Sequence, residues 1–154
     1  MMDLILWRHA EASEAAEGQL DRDRALTPRG EKQAARMAAW LDRQLPEGVR
    51  VLSSPARRCE QTAKALARKY RLLAELAPGA SVLDLLGVAG WPTSKTAVLI
   101  VGHQPTLGQA VAHLMGLQLT ECAVRKGAVW WLRSREREGV MQTNVVTVQT
   151  PELI

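Results

Sequence analysis

Three short apolar segments, residues 4–7, 49–52 and 97–101, are each followed within a residue or two by polar side chains. Runs of this length, bounded by turn-forming residues, are typical of buried β-strands. His9 comes just after the first run, and His103 comes just after the third. In an open α/β sheet, the carboxyl ends of parallel strands line one crevice in which ligands bind. The sequence therefore predicts that the two histidines meet in space although they are far apart along the chain.

Helical patterns separate these runs. A threonine followed by proline is typical of a helix start, because threonine caps the helix and proline suits its first position. Serine followed by proline gives a similar signal, and proline with glycine ends a helix. These signals predict one helix from Thr27-Pro28 to residue 45, one from Ser54-Pro55 to Tyr70, a short one over residues 82–86 and one from Gln104-Pro105 to Gly116.

The C-terminal part of the chain has a strand pattern instead. Residues 128–133 and 140–148 alternate as strands do, and a charged turn that ends at Gly139 joins them. Two strands joined in this way indicate an antiparallel hairpin. The order of elements predicts one α/β domain over residues 1–154, with three α/β/α layers, a mostly parallel sheet and antiparallel C-terminal strands.

Composition excludes several classes of function. The 20 basic and 16 acidic residues are interleaved, and no basic run alternates with aromatic residues, so we expect no nucleic-acid partner. No apolar stretch approaches the roughly 18 residues that span a bilayer, so we expect no membrane association. The start of the chain has no signal-peptide pattern, and two cysteines fit a reduced compartment, which indicates the cytoplasm. Cys59 lies on a predicted apolar helix face and is expected to pack in the core, whereas a redox role for Cys59 or Cys122 stays open.

The residues at the strand ends point to phosphate chemistry. Free N–H groups and the positive dipole end at a helix N-terminus favour an anion. Arg58 lies in the first turn of a predicted helix, and Arg8 lies beside His9. Guanidinium groups match phosphate oxygens well, and an imidazole can act as nucleophile, base or hydrogen-bond donor. Two histidines and two arginines therefore predict a phosphate site.

Four blocks of this sequence resemble those of the histidine phosphatase superfamily, to which the cofactor-dependent phosphoglycerate mutases also belong. Any one block alone is a weak signal, but four in the right order are specific. The short chain and the form of the third block resemble the small phosphohistidine phosphatase branch in particular. The blocks are Arg8-His9-Ala10, Leu26-Thr27-Pro28-Arg29-Gly30, Ser54-Pro55-x-x-Arg58-Cys59-x-Gln61-Thr62 and Val101-Gly102-His103.

The resemblance implies a role for each matching residue. His9 would be the nucleophile that becomes phosphorylated, and Arg8 and Arg58 would clamp the phosphoryl oxygens. His103 would donate to the same oxygens in the transition state. Arg24 matches an arginine that lines the pocket in this branch. The resemblance implies no metal or organic cofactor.

The general acid of the larger members has no clear counterpart here. Glu75 and Asp84 are the candidates, but neither lies in a recognisable acid motif, and Ser81 stands where relatives often carry an acidic residue. An alkoxide leaving group needs a proton from the enzyme. A phosphorylated imidazole can carry its own proton, because histidine titrates near ~6.5. The missing acid therefore favours phosphohistidine over a phosphate ester as substrate.

We therefore predict a phosphatase that removes phosphate from a histidine on a protein, through a phosphohistidine intermediate on His9. The partner would be a signalling phosphotransfer domain or a sugar-transport phosphocarrier, and inorganic phosphate would be the product. Two alternatives stay open. One is a phosphatase for a small phosphate ester metabolite, and the other is a module that binds phosphate without catalysis.

Overall fold

A six-stranded sheet forms the centre of the structure, a computed structural model that describes residues 1–154. The strands are β1 (Met2–Arg8), β2 (Arg50–Ser53), β3 (Arg71–Leu72), β4 (Val98–Gly102), β5 (Val129–Arg137) and β6 (Val140–Gln149). Their spatial order is β3-β2-β4-β1-β5-β6. Strands β1 to β4 run parallel, and β5 and β6 are antiparallel to their neighbours. This arrangement confirms the predicted sheet.

Helices cover both faces of the sheet. They are α1 (Pro28–Gln44), α2 (Arg57–Lys64), α3 (Val82–Ala89) and α4 (Thr106–Leu114). One hydrophobic cluster joins side chains of α1 and α2 to one face of the sheet, and a second joins α3 and α4 to the other face. The alternation of side chains along each strand separates the two clusters. The three-layer α/β/α prediction is therefore confirmed. None of the helices is long and apolar enough to cross a membrane.

The two helix-start signals have different outcomes. Thr27 caps α1 as predicted, since its side-chain oxygen accepts from the Gly30 amide at 2.9 Å and Pro28 is the first helical residue. Ser54 was predicted to begin the second helix, but α2 begins only at Arg57. The Ser54 hydroxyl accepts instead from the Ala56 amide at 3.2 Å, in the turn before the helix.

The predicted extent of the second helix is also wrong. Helix α2 ends at Lys64 rather than at Tyr70. Ala67 follows soon after with a φ of 55°, and this left-handed conformation does not occur inside a right-handed helix. Leu66 is nevertheless buried, so the apolar residues beyond Lys64 pack in the core although they are not part of the helix.

The segment between α2 and β4 contains more structure than its sequence predicts. Helix α3 continues through Gly87 to Ala89 and ends at Gly90, whose φ of 71° suits a helix terminus. Strand β3, at the edge of the sheet, was not predicted, because its two exposed residues show no alternation. A short 3-10 helix, Ala74–Leu76, lies between β3 and α3.

Candidate active site

The site lies where β1, β4 and β2 end side by side. The pairing of these neighbouring strands is continued just beyond their last residues. The His9 amide donates to the Gly102 carbonyl at 3.2 Å, and the Ser54 amide donates to the Val101 carbonyl at 3.0 Å. His9, His103 and Ser54 are therefore neighbours because each is the residue that follows its strand.

Both imidazoles are buried and close together. The ring centroids of His9 and His103 are 5.4 Å apart, with the planes tilted by 59°. Nδ1 of His9 lies 2.7 Å from the Ala10 carbonyl oxygen. A carbonyl can only accept, so Nδ1 carries the proton and Nε2 keeps its lone pair. His9 is thus held in the tautomer that a nucleophile needs.

The hydrogen bonds of His103 select the opposite tautomer, with the proton on Nε2. Its Nδ1 lies 3.4 Å from Nη2 of Arg58, which can only donate, so Nδ1 accepts. Its Nε2 then carries the proton and donates to the Ser54 hydroxyl at 2.7 Å. The accepting nitrogen of His103 therefore lies beside the Arg58 guanidinium.

The surroundings keep both imidazoles uncharged. Burial lowers the pKa of His9 from 6.5 to about 3, with further lowering by His103 and the two arginines. Burial and the nearby Arg58 lower the pKa of His103 to about 4, against an opposing effect of Asp21. Both rings are therefore neutral near pH 7. A bound phosphate dianion would favour the charged form of His103 and so allow its Nδ1 to donate to an oxygen.

Arg8 and Arg58 each have a donor that the protein does not use. Nη1 of Arg8 donates to the Val124 carbonyl at 2.9 Å, and Arg58 has its terminal nitrogens on Asp21. The Nε atoms of both arginines are buried and have no partner within the protein. Burial and Arg58 also hold the pKa of Arg8 below its ordinary value. The two Nε groups are therefore donors that lack an acceptor within the protein, and an oxyanion is the kind of group that satisfies such donors and offsets the positive charge.

Helix α2 connects this cluster to the loop after β1. The Thr62 hydroxyl donates to the Arg58 carbonyl at 2.8 Å and accepts from the Ala10 amide at 3.1 Å. The Gln61 side chain accepts from the Leu26 amide at 2.7 Å. These contacts give a physical reason for the glutamine and threonine that follow Arg58, because they fix α2 against the segment that carries His9.

Arg24 reaches the cluster through an intermediary. Its Nη1 donates to the Asp21 carboxylate at 3.0 Å, and its Nε donates to the Ser13 carbonyl at 2.7 Å. The same carboxylate accepts from Nη2 of Arg58 at 3.1 Å. Asp21 begins a short 3-10 helix, Asp21–Asp23, in the loop after β1. The structure thus places Arg24 beside the predicted phosphate site, with Asp21 between it and Arg58.

The two acid candidates lie elsewhere. Glu75 is exposed on the 3-10 helix after β3, and Asp84 is exposed in the first turn of α3. The side chain of neither residue makes a hydrogen bond or ion pair with His9, His103 or the arginines. The structure therefore brings together the predicted histidines and arginines but not these carboxylates.

Three residues that contact the cluster were not predicted to do so. The sequence predicts Ser54 as a helix cap and Thr62 only as part of a sequence block, while Asp21 belongs to a polar loop without other pattern. The spacing Asp21-x-x-Arg24, directly before a helix start, is the one signal that could have drawn attention to the loop. Cys59 is buried as expected, with its Sγ 3.4 Å from Nε2 of His103, and burial raises the pKa of its thiol to about 12.

Comparison with known proteins identifies similar chains. The sequence model of the histidine phosphatase superfamily (branch 1) matches residues 4–81. The phosphohistidine phosphatase SixA of Escherichia coli is 33% identical over 121 residues, covering 73% of this chain and 74% of that protein. The uncharacterized protein Rv1276c of Mycobacterium tuberculosis is 35% identical over 122 residues, covering 76% and 75%. The structure of the protein histidine phosphatase SixA complexed with tungstate superposes with a TM-score of 0.78, at 28% identity and 97% coverage of both chains.

Proposed function

Because the chain belongs to the histidine phosphatase superfamily, we propose that it hydrolyses phosphohistidine on a protein through a covalent intermediate on His9. Membership of the superfamily supports phosphatase activity, and phosphohistidine as the substrate class is the proposal. The observation that carries it is the pair of buried, neutral imidazoles, of which His9 presents a free Nε2. The relatives named above support the same activity, since one is called a phosphohistidine phosphatase and another binds tungstate, a tetrahedral oxyanion like phosphate.

The reaction takes two steps. In the first, Nε2 of His9 attacks phosphorus, the bond from phosphorus to the substrate imidazole breaks, and its electron pair returns to that ring. In the second, water attacks the phosphoryl group on His9, and the electron pair of the broken bond returns to Nε2. The two displacements release the substrate histidine first and inorganic phosphate second. Both steps are phosphoryl transfers, for which positioning and charge stabilisation supply most of the catalysis.

The arginines and His103 stabilise the charge that moves through these steps. The unused Nε groups of Arg8 and Arg58 bind the phosphoryl oxygens, and these donors are fixed before the reaction begins. When the dianion binds, His103 takes up a proton from solvent at Nδ1 and donates from it to a phosphoryl oxygen. Its proton and the two guanidiniums together oppose the negative charge of the transition state.

The carboxylates support phosphohistidine as the substrate. Asp21, which contacts the arginines, is ion-paired with Arg24 and Arg58, and its pKa is held below the ordinary value chiefly by the hydrogen bond from Arg24. An ionised carboxylate cannot donate a proton. Glu75 and Asp84 are exposed at other positions. A leaving group that brings its own proton, such as imidazole, fits this set of residues better than an alkoxide.

The partner that follows from this chemistry is a phosphotransfer domain or a phosphocarrier, since both present phosphohistidine on their surface. Both cysteines of the chain are free thiols, which supports our proposal that it acts on such proteins in the cytoplasm.

The test measures phosphate release from a histidine-phosphorylated carrier protein, beside an aryl phosphate and several alkyl phosphates, without added metal. The chain has three histidines, and the exposed His113 provides a matched control. We expect His9→Ala to abolish turnover and His113→Ala to retain it. Acid-labile phosphate should be trapped on the wild type and not on His9→Ala.

Other outcomes select other functions. Alkyl ester turnover far faster than that of phosphohistidine protein would indicate that the substrate is a small metabolite. The variants Glu75→Gln and Asp84→Asn would then test whether either residue is the general acid. Binding of phosphoprotein without any turnover would indicate a non-catalytic module.

A further inference from the structure

We propose that Asp21 sets the phosphate affinity of this site, because its fixed negative charge opposes the phosphate dianion and so speeds release of the product. The inference rests on the proposed function only for the identity of the anion. Asp21 is a positioning residue and not a catalytic one, because its contacts are with Arg58 and Arg24 and its charge acts on phosphate from outside the reacting atoms.

The contacts of Asp21 occupy a large part of Arg58. Nη1 of Arg58 donates to the Asp21 carbonyl at 3.0 Å, and Nη2 donates to the Asp21 carboxylate at 3.1 Å. Both terminal nitrogens of this guanidinium are therefore held by one residue. The buried Nε–H of Arg58 has no acceptor within the protein and is a donor for an oxyanion. Asp21 thus fixes the orientation in which Arg58 meets phosphate.

The two partners differ in burial, and the carboxylate is the more exposed of them. The Arg58 side chain is 6% exposed, whereas the Asp21 side chain is 56% exposed. The carboxylate therefore lies on the solvent side of the guanidinium. A phosphate bound to Arg58 therefore has a negative charge on the far side of the same guanidinium, 3.1 Å from Nη2, and that charge repels it.

The loop holds Asp21 in place. Arg24, which pairs with the carboxylate, also donates from Nε to the Ser13 carbonyl at 2.7 Å. The Ser13 amide in turn donates to the Ala25 carbonyl at 2.9 Å. These bonds tie the two ends of the loop together around Asp21. The charge is therefore a fixed part of the site and not a mobile surface carboxylate.

The variant Asp21→Asn tests the charge with little change of shape, since its amide oxygen can still accept from one arginine. Asp23→Asn is the matched control, because the Asp23 side chain is exposed and makes no ion pair or hydrogen bond. We expect Asp21→Asn to bind inorganic phosphate about tenfold more tightly in calorimetry, and Asp23→Asn to bind it like the wild type. The tighter binding should shrink at high salt, and in turnover KM should fall together with kcat.

A purely structural role predicts the opposite sign. If Asp21→Asn binds phosphate more weakly, or if it matches Asp23→Asn at every salt concentration, the proposal is wrong. Thermal unfolding of both variants shows whether a change in phosphate affinity is caused by a loss of folded protein. Phosphate binding does not depend on turnover, so tighter binding by Asp21→Asn in a protein that fails to hydrolyse phosphohistidine would support this inference and reject the proposed function.

Discussion

His9 and His103 lie 5.4 Å apart at the ends of two adjacent parallel strands, yet their hydrogen bonds prepare them for different tasks. Both rings carry the proton on one nitrogen and are neutral. In His9 the Ala10 carbonyl holds the proton on Nδ1, so Nε2 is free to attack. In His103 the proton is on Nε2 and is donated in a hydrogen bond to the Ser54 hydroxyl, so the unprotonated Nδ1 lies beside Arg58. The two tautomers differ because the Ala10 carbonyl is the partner of His9 and the Ser54 hydroxyl is the partner of His103.

The first prediction concerns the buried guanidinium of Arg58. Lysine at this position has no Nε donor and no planar fork, so it cannot keep both Asp21 and a phosphoryl oxygen. We expect Arg58→Lys to lower kcat/KM on the order of 100-fold. Arg57→Lys is the control, since Arg57 is its exposed neighbour on the same helix and should be replaceable without loss. Equal losses in the two variants would contradict a specific role for Arg58.

The second prediction concerns the positioning of His103 by Ser54. Removal of the hydroxyl in Ser54→Ala leaves the buried Nε2–H and the Ala56 amide without their acceptor. We expect a stability loss of about 1 to 3 kcal/mol and a fall in kcat on the order of tenfold, measured by urea unfolding and steady-state turnover.

Ser53→Ala and Ser54→Thr are the matched variants for this test. Ser53 is also buried, but its hydroxyl donates only to the Ser54 carbonyl, so its loss should cost stability and spare kcat. Ser54→Thr keeps a hydroxyl and should restore activity together with the pH profile of the wild type. A kcat that falls as far in Ser53→Ala as in Ser54→Ala would mean that only packing is involved.

The arrangement of the sheet could be predicted because short apolar runs and capping residues are local signals. The three runs that end near His9, Ser54 and His103 became adjacent parallel strands, and the cluster of histidines and arginines followed from that topology. Arg58 could be placed by its position in the first turn of a helix. These inferences needed only the period of the pattern and the rule that parallel strands share one carboxyl edge.

The contacts that complete the site could not be predicted, because they join residues without a pattern. Asp21 lies in a loop and meets Arg58 from a distance of 37 positions along the chain. The Ser54 hydroxyl could cap a helix or bind a histidine, and propensity does not choose between the two. Helix α2 ends at Lys64, three residues before the left-handed Ala67, although the buried Leu66 continues its apolar pattern. In each of these places the structure is decided by tertiary contacts that local sequence preference does not encode.

The third prediction explains a glycine in the first turn of α1. A Cβ on Gly30 would lie 2.0 Å from the carbonyl oxygen of Glu11, which is two residues after His9 in the chain. Gly30→Ala must therefore push the helix away from the loop, at a cost of about 1 to 3 kcal/mol or more. Gly48→Ala is the control, since no atom lies within 4 Å of its Cβ position. The midpoint temperature of thermal unfolding and the turnover rate should both fall in Gly30→Ala. A variant as stable and as active as the wild type would contradict the close packing.

The fourth prediction is a loss of stability in mild acid. The folded pKa values of His9 and His103, about 3 and about 4, lie below the 6.5 of an unfolded chain. Between pH 6.5 and 4 the unfolded state binds protons that the folded state does not, so stability falls as pH falls. Each histidine contributes up to about 2 kcal/mol of this loss between pH 6.5 and pH 5.

Urea unfolding at pH 7, 6 and 5, at constant ionic strength, measures this dependence directly. Asn does not titrate, so we expect His9→Asn and His103→Asn each to flatten the slope and the double variant to flatten it most. His113→Asn removes an exposed imidazole and should keep the slope of the wild type. The range above pH 5 is chosen because protonation of Asp3 and Asp21, whose pKa values are lowered by their arginine partners, contributes only in stronger acid. A double variant as acid-sensitive as the wild type would show that the two imidazoles are not buried in the neutral state.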